Sequence, residues 1–262
     1  MKFYTLITGA SSGIGKELAM VFAENHYNLV LVARNEEKLN VLKKDLLSKY
    51  EVDIRTYGID LSLKDSAEKL YKFLKKENLN IQILINNAGF GTTGGFLTNQ
   101  LEQEIEEIQV NVISLVKLTH YIGNEMLKDS TNQPKYFYKI LNVGSTAGFQ
   151  PGPFMNIYYS TKAFVLFFSE ALFEELKEKN IFVSVLCPGP VKTNFFERAN
   201  MQNKITKLPM LNPKDLAIYT YKKLMQHKII IIPGIQNRLG VFFVRITPRS
   251  IIRKLTKYLN QN

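Results

Sequence analysis

The stretch NIYYSTKAF, Asn156 to Phe164, sets two adjacent tyrosines just ahead of one lysine. Tyr158 precedes Lys162 by four residues and Tyr159 by three, so on a helix either ring comes near the ammonium. A phenol beside a cation is a candidate proton donor. Its ordinary pKa of about 10 is too high for ready exchange near neutrality, and a neighbouring ammonium favours the phenolate and lowers it. Such a group can protonate a carbonyl oxygen while hydride arrives at the carbon. Helix geometry alone separates the two tyrosines only slightly, since four residues overshoot one turn by about 40° and three fall about 60° short.

A second chemical feature lies near the start. TGASSGIG places Gly9, Gly13 and Gly15 between an apolar run and a helical pattern. Glycines there let the backbone turn sharply and approach a pyrophosphate, which then sits on the helix N-terminus. The spacing is G-x3-G-x-G rather than G-x-G-x-x-G, and taken alone it would also serve a simple tight connection. At the end of the second apolar run, VARNEEK carries Ala33 and Arg34 with no acid at the strand end. A carboxylate there would hold the ribose 2′-hydroxyl of NAD, whereas an arginine pairs with the 2′-phosphate of NADP. NADP(H) is the expected cofactor. Glu36 and Glu37 close by keep open the plainer reading of Arg34 as a solvated surface residue.

The elements that must position these groups alternate from the first residues. Apolar runs at 3–8, 28–33, 52–59, 81–86, 138–144, 181–187 and 229–232 are separated by helical patterns at 14–24, 36–49, 62–77, about 100–127 and 157–179. Strands apolar on both faces and separated by helices predict a parallel sheet covered on both sides, here a doubly wound α/β domain of about seven strands, Rossmann-like. The domain is expected over 1–234, with a loop at 189–212 long enough to be a lid or binding loop and a basic C-terminal extension over 235–262.

These motifs resemble the short-chain dehydrogenase/reductase family. TGASSGIG is similar to its cofactor turn, NNAG (Asn86 to Gly89) to the motif after its fourth strand, and PGPVKT (Pro188 to Thr193) to its nicotinamide-side loop. Asn111, Ser145, Tyr158 and Lys162 fall in the family's catalytic order, and its Tyr-x-x-x-Lys motif implies that Tyr158 is the acid and Tyr159 a neighbour engaged in packing or subunit contact. The resemblance spans about residues 3–233. It implies that Ser145 holds the substrate oxygen, that Lys162 also grips the nicotinamide ribose, and that Asn111 supports a water path. It further implies a cofactor site of Gly9, Ser11, Ser12, Gly13, Ile14, Gly15, Arg34, Asp60, Asn87, Ala88, Gly89, Tyr158, Lys162, Pro188, Gly189, Val191 and Thr193, and a homodimer or homotetramer built through the two long helices. GSTAGFQPGP followed by YYSTKA is similar to a bacterial subgroup of broad substrate range.

Other classes fit less well. A serine hydrolase needs a G-x-S-x-G elbow, and Val143 stands where its first glycine belongs. Three scattered histidines, His26, His120 and His227, and one cysteine offer no recognisable metal site. A dinucleotide sensor without catalysis, or an isomerase or epimerase on the same scaffold, is the alternative; a sensor need not keep Ser145, Tyr158 and Lys162 together. The lone cysteine, the absence of a secretory signal ahead of the first strand and of a bilayer-long apolar run point to the cytoplasm.

The formal charge of +11 suggests an anionic partner, yet six basic residues and no acid lie beyond Ile235, which leaves only +5 on the body. That distribution argues against nucleic acid. In RSIIRKLTKYL, Ile251, Ile252, Leu255, Tyr258 and Leu259 recur at helical spacing among Arg249, Arg253, Lys254 and Lys257. Such a helix either packs on the protein or lies peripherally on an anionic membrane, at the inner membrane surface for a cytoplasmic protein. Phe149, Phe154, Met155, Phe195, Phe196, Met201, Leu208, Met210 and Leu211 suggest an apolar lid over a lipophilic ketone or aldehyde, and would equally serve as core or subunit contacts.

Overall fold

Seven parallel strands form one sheet in the order β3-β2-β1-β4-β5-β6-β7 in a computed structural model that describes residues 2–198 and 209–261. The strands are β1 (Phe3–Thr8), β2 (Asn28–Ala33), β3 (Ile54–Gly58), β4 (Asn80–Asn86), β5 (Tyr138–Val143), β6 (Ile181–Leu186) and β7 (Ile230–Ile231). The helices between them are α1 (Gly13–Glu24), α2 (Glu36–Leu47), α3 (Ser66–Lys76), α4 (Leu101–Ile108), α5 (Leu115–Asp129), α6 (Asn156–Leu176), the short α7 (Phe195–Arg198) and α8 (Pro213–Met225). Two more, α9 (Ile235–Ile246) and α10 (Arg249–Asn260), close the chain.

Period-two alternation supplies both faces of the sheet. Leu29 and Leu31 of β2 join Ile7 of β1 under α1, α2 and α8, while Val30 and Val32 join Leu6 under α3 and α5. Truncating a residue such as Leu31, fully buried, to alanine would cost about 2–5 kcal/mol. Strand β3 begins at Ile54 rather than Val52, because the Val52 amide donates to the Tyr50 carbonyl in a turn (3.1 Å).

The long helical pattern near 100–127 resolves into α4, a π-helical stretch (Gln109–Ser114) and α5. Asn111 sits inside that stretch, and such widened turns recur at functional sites. From β3 at one edge the chain crosses to β4 on the other side of β1. The crevice at the carboxyl ends of β1 and β4 is therefore the switch point where ligands bind in such sheets. A buried polar ladder ties α5 and α6 to the strands beside it. Asn86 Nδ2 donates to Thr119 Oγ1 (3.0 Å) and Asn142 Oδ1 (2.9 Å), and Asn142 Nδ2 donates to Ser169 Oγ (2.9 Å).

Candidate active site

The cofactor side is built at the end of β1. Gly9 and Gly13 have φ of +67° and +54°, conformations that glycine adopts without strain. A Cβ on Gly15 would come 2.4 Å from the Gly9 carbonyl oxygen, so the turn folds onto the first turn of α1. Ser12 precedes α1 in extended geometry with no side-chain cap, and the first turn holds no acid. Its amides are thus left for an anion. Asn87 latches this turn to β4. Its Nδ2 donates to the Thr8 carbonyl (2.8 Å), and Thr8 Oγ1 accepts from the Asn87 and Ala88 amides (3.0 Å each). A dinucleotide fits these residues.

Arg34 lines the same cleft, half-exposed, with Nη1 3.6 Å from Asp60 Oδ2. Asp60 also accepts from the Ser62 amide (2.9 Å), so it holds its own turn and orients the arginine. Of the two nearby acids, Glu36 packs against Gly58, where a Cβ would meet its carboxylate at 2.9 Å. Lys38, which sequence reasoning missed, joins Arg34 along the cleft because Asn35 caps α2 by accepting the Lys38 amide (2.8 Å).

Ser145, Tyr158 and Lys162 converge beyond the ends of β5 and β6. Lys162 is buried, its Nζ donating to the Val143 carbonyl (2.8 Å) and lying 5.7 Å from the centre of the Tyr158 ring. Burial pushes the ammonium down to about 8, with Glu107 opposing that fall. Burial likewise raises the Tyr158 phenol above its ordinary value, and the Ser145 hydroxyl, hydrogen-bonded to it, pulls it part of the way back. Tyr158 therefore stands protonated at neutral pH. Ser145 Oγ accepts from the Ala147 amide (3.1 Å) and reaches the Pro188 carbonyl at 3.5 Å, joining the end of β5 to the loop after β6.

Asn111 does not face the cleft. Its Nδ2 donates to the Phe90 carbonyl (2.9 Å) and Thr161 Oγ1 (3.1 Å), and its Oδ1 accepts from the Phe90 amide (3.1 Å). It lies behind Lys162, with Gly89 between them: a Cβ on Gly89 would be 2.9 Å from Asn111 Oδ1 and 3.4 Å from Lys162 Nζ. Tyr159 is buried against Gly152, and its hydroxyl donates to Asn260 Oδ1 of α10 (3.3 Å). Cys187 is buried and its thiol is pushed up to about 12 by that burial, which makes it inert.

One cleft of about 1070 Å³ runs from Arg34 past the glycine turn, Pro188, Gly189, Val191 and Thr193 to Tyr158 and on to an apolar end. Met155, Phe195 and Phe196 line that end, whereas Phe149 and Leu211 pack into the core. Phe154 and Met210 do not line it, and Met201 and Leu208 lie outside the described residues. The far wall comes from the C-terminal extension: Phe243, Val244, Ile251, Ile252, Leu255 and Leu259. Helix α10 buries Ile252, Thr256 and Asn260, and Asn260 Nδ2 donates to the Pro153 carbonyl (3.0 Å). The apolar stripe of this helix was legible; its destination was not.

A short chain dehydrogenase family model matches residues 4–204. The very-long-chain 3-oxoacyl-CoA reductase of Mus musculus is 36% identical over 194 residues, covering 72% of this chain and 60% of the relative, so the chain spans about 60% of that protein's length. A short-chain dehydrogenase from Sphingobium yanoikuyae in complex with NADPH superposes with a TM-score of 0.82 at 31% identity, over 94% of this chain and 93% of that one. The bulky-bulky ketone specific alcohol dehydrogenase from Comamonas testosteroni gives 0.77 at 29% identity, over 97% and 96% of the two chains.

Proposed function

The chain belongs to the short-chain dehydrogenase family, and from that premise we propose that it is an NADP(H)-dependent reductase of lipophilic carbonyl compounds. The observation that carries the reading is the convergence of Ser145, Tyr158 and Lys162 midway along one cleft, between a phosphate-ready glycine turn and an apolar end. When bound, the nicotinamide supplies the hydride. Ser145 holds the carbonyl oxygen and polarises it. Tyr158 delivers its proton to that oxygen, and Lys162 stabilises the phenolate left behind. Arg34 and Lys38 select the 2′-phosphate by charge.

The apolar end supports this substrate class. Phe195, Phe196, Met155 and the inner faces of α9 and α10 offer it no charged partner, which suits a long acyl or bulky hydrocarbon group attached to the carbonyl. The names of the relatives, a very-long-chain 3-oxoacyl-CoA reductase and a bulky ketone dehydrogenase, support the same class. NADPH oxidation across 3-oxoacyl thioesters and ketones of graded chain length tests it. Catalytic efficiency should rise with apolar length, and a flat or falling series would refute the assignment.

We further propose a homodimer or homotetramer through α5 and α6, where Phe164 and Phe167 stand exposed, and reversible contact of the extension with an anionic membrane in the cytoplasm. Support for the latter is the outer face of α9, where Leu239, Phe242 and Ile246 are more than half exposed, flanked by the exposed Arg245 and the basic residues of α10. No helix among the described residues is long and apolar enough to cross a membrane.

A further inference from the structure

Two acidic side chains of α4 are buried, and the reaction described above uses neither. Glu104 is 2% exposed and Glu107 fully buried. Between them lies the Thr92 hydroxyl, 2.9 Å from Glu104 Oε2 and 2.7 Å from Glu107 Oε2. A hydroxyl has one hydrogen and can donate to only one of these oxygens. The other oxygen must bring its own proton, or lone pairs would face each other in a dry site. The trio is therefore satisfied only when the two carboxyls share one proton. The remaining contacts do not supply it. Glu107 Oε2 also accepts from the Thr92 amide (2.8 Å) and Glu104 Oε1 accepts from Asn99 Nδ2 (2.6 Å), while Glu107 Oε1 is buried with no hydrogen-bond partner among the described residues.

The trio sits directly behind the catalytic groups. Glu107 lies one helical turn before Asn111, and the two side chains grip the same loop, at Thr92 and Phe90. That loop touches the acid, since a Cβ on Gly91 would be 2.9 Å from Tyr158 Cδ2. The charged or titratable groups facing Glu107 are Glu104 from its own helix and Lys162 and Tyr158 from α6. Burial moves Glu107 up to about 7, where a carboxyl can both hold and release a proton at physiological pH.

We propose that Glu104, Thr92 and Glu107 form a proton reservoir that reloads Lys162, and through it Tyr158, after each reduction. The balance is simple. The carbonyl carbon gains hydride and its oxygen takes the Tyr158 proton; the phenolate takes a proton from the Lys162 ammonium. The resulting amine recovers one from the glutamate pair by way of water beside Asn111, and solvent returns a proton to the pair. Glu104 and Glu107 act through Lys162 and do not touch substrate. The inference rests on Tyr158 being the acid, but the resting protonation of the pair does not.

Infrared titration of the cofactor-free protein from pH 5 to 9 reads that protonation directly. A protonated carboxyl band should persist at pH 7 in the native protein and be lost in Glu107→Gln, whose amide oxygen can still accept from Thr92. Stopped-flow NADPH oxidation reads the reloading. In Glu107→Gln and Thr92→Val the first turnover should keep its native rate, while later turnovers slow about 100-fold, at the low end of the loss of a positioned proton transfer; Thr92→Ser should restore them. No protonated band at pH 7 in the native protein, or equal slowing of first and later turnovers, overturns the inference. The native titration decides alone if a variant does not fold. Retained turnover in Tyr158→Phe would instead refute the assignment of the acid and leave the infrared result standing.

Discussion

Removing one hydroxyl from each of two adjacent tyrosines should have opposite consequences. Tyr158→Phe keeps the ring, which packs against Phe195 (centroids 5.3 Å apart) and beneath the Lys162 ammonium. What disappears is the proposed proton donor and its hydrogen bond with Ser145. Loss of a positioned general acid costs about 10²–10⁴ in rate, or about 3–5 kcal/mol of transition-state stabilisation. Folding should barely change, because a buried hydroxyl is removed together with its desolvation cost. Tyr159→Phe instead loses the 3.3 Å bond to Asn260. That is worth about 1 kcal/mol of stability, or about 2–4 °C in Tm for a domain of this size, with turnover on short ketones within a few-fold of native. The assay is steady-state NADPH oxidation and a thermal melt on both variants, with cofactor binding followed by fluorescence. Tyr158→Phe should bind NADPH nearly as tightly as the native protein. Full activity in Tyr158→Phe, or a dead Tyr159→Phe with a native melting curve, would refute the assignment.

Arg34→Ala and Lys38→Ala should each weaken NADPH about 10-fold, on the scale of one charge-assisted hydrogen bond, and leave NADH unchanged; fluorescence titration of both cofactors checks it, and unaltered NADPH affinity would exclude that side chain from the 2′-phosphate site. Glu107 carries a sign that stability can read. Its folded pKa is raised from 4.5 to about 7, so the folded state binds the extra proton in that window and native stability should rise as pH falls from 7 toward 4.5. The rise, up to about 3 kcal/mol at 1.36 kcal/mol per pH unit, should be absent from Glu107→Gln in denaturant melts at each pH. The 262-residue chain should pellet with anionic vesicles at low salt and be released at high salt, and charge reversal at Arg253, Lys254 and Lys257 should abolish pelleting, each basic residue contributing about 1 kcal/mol.

The sheet and the glycine turn were readable because their signals are local. Alternation in NLVLVA states which side chains point to which face, and both faces being apolar leaves only a covered sheet. LEQEIEEIQ is the opposite case. Four acids fall in one helical stretch, and Glu104 and Glu107 are buried while Ile105 stands 55% exposed. Nothing within the helix distinguishes Glu104 and Glu107 from Glu102 and Glu106. The difference is made by Thr92 and Asn99, residues of a loop that reaches α4 only in the folded chain. Lys38 differs, since its signal is local: the Asn35 cap that fixes where α2 starts sets its place on the cleft.

A helical stripe says that one face is apolar; it does not say what meets that face. In α10 Ile252 is buried, while its neighbours Ile251 and Leu255 are each 54% exposed and line the open end of the cleft. The same stripe thus belongs partly to the fold and partly to the site. An apolar surface that is simultaneously the rim of a cleft and open to solvent is costly to leave bare, at roughly 25 cal/mol per Å². A hydrocarbon substrate entering the cleft would cover its inner half. Leu239, Phe242 and Ile246 of α9 are more than half exposed and do not line the cleft, so a substrate held beside Tyr158 would leave them bare, and the basic residues nearby would favour an anionic surface there. The proposed substrate class and the proposed membrane contact therefore draw on different apolar side chains of the same extension. Graded ketones report on its inner part and vesicles on its outer part, so each can fail without the other.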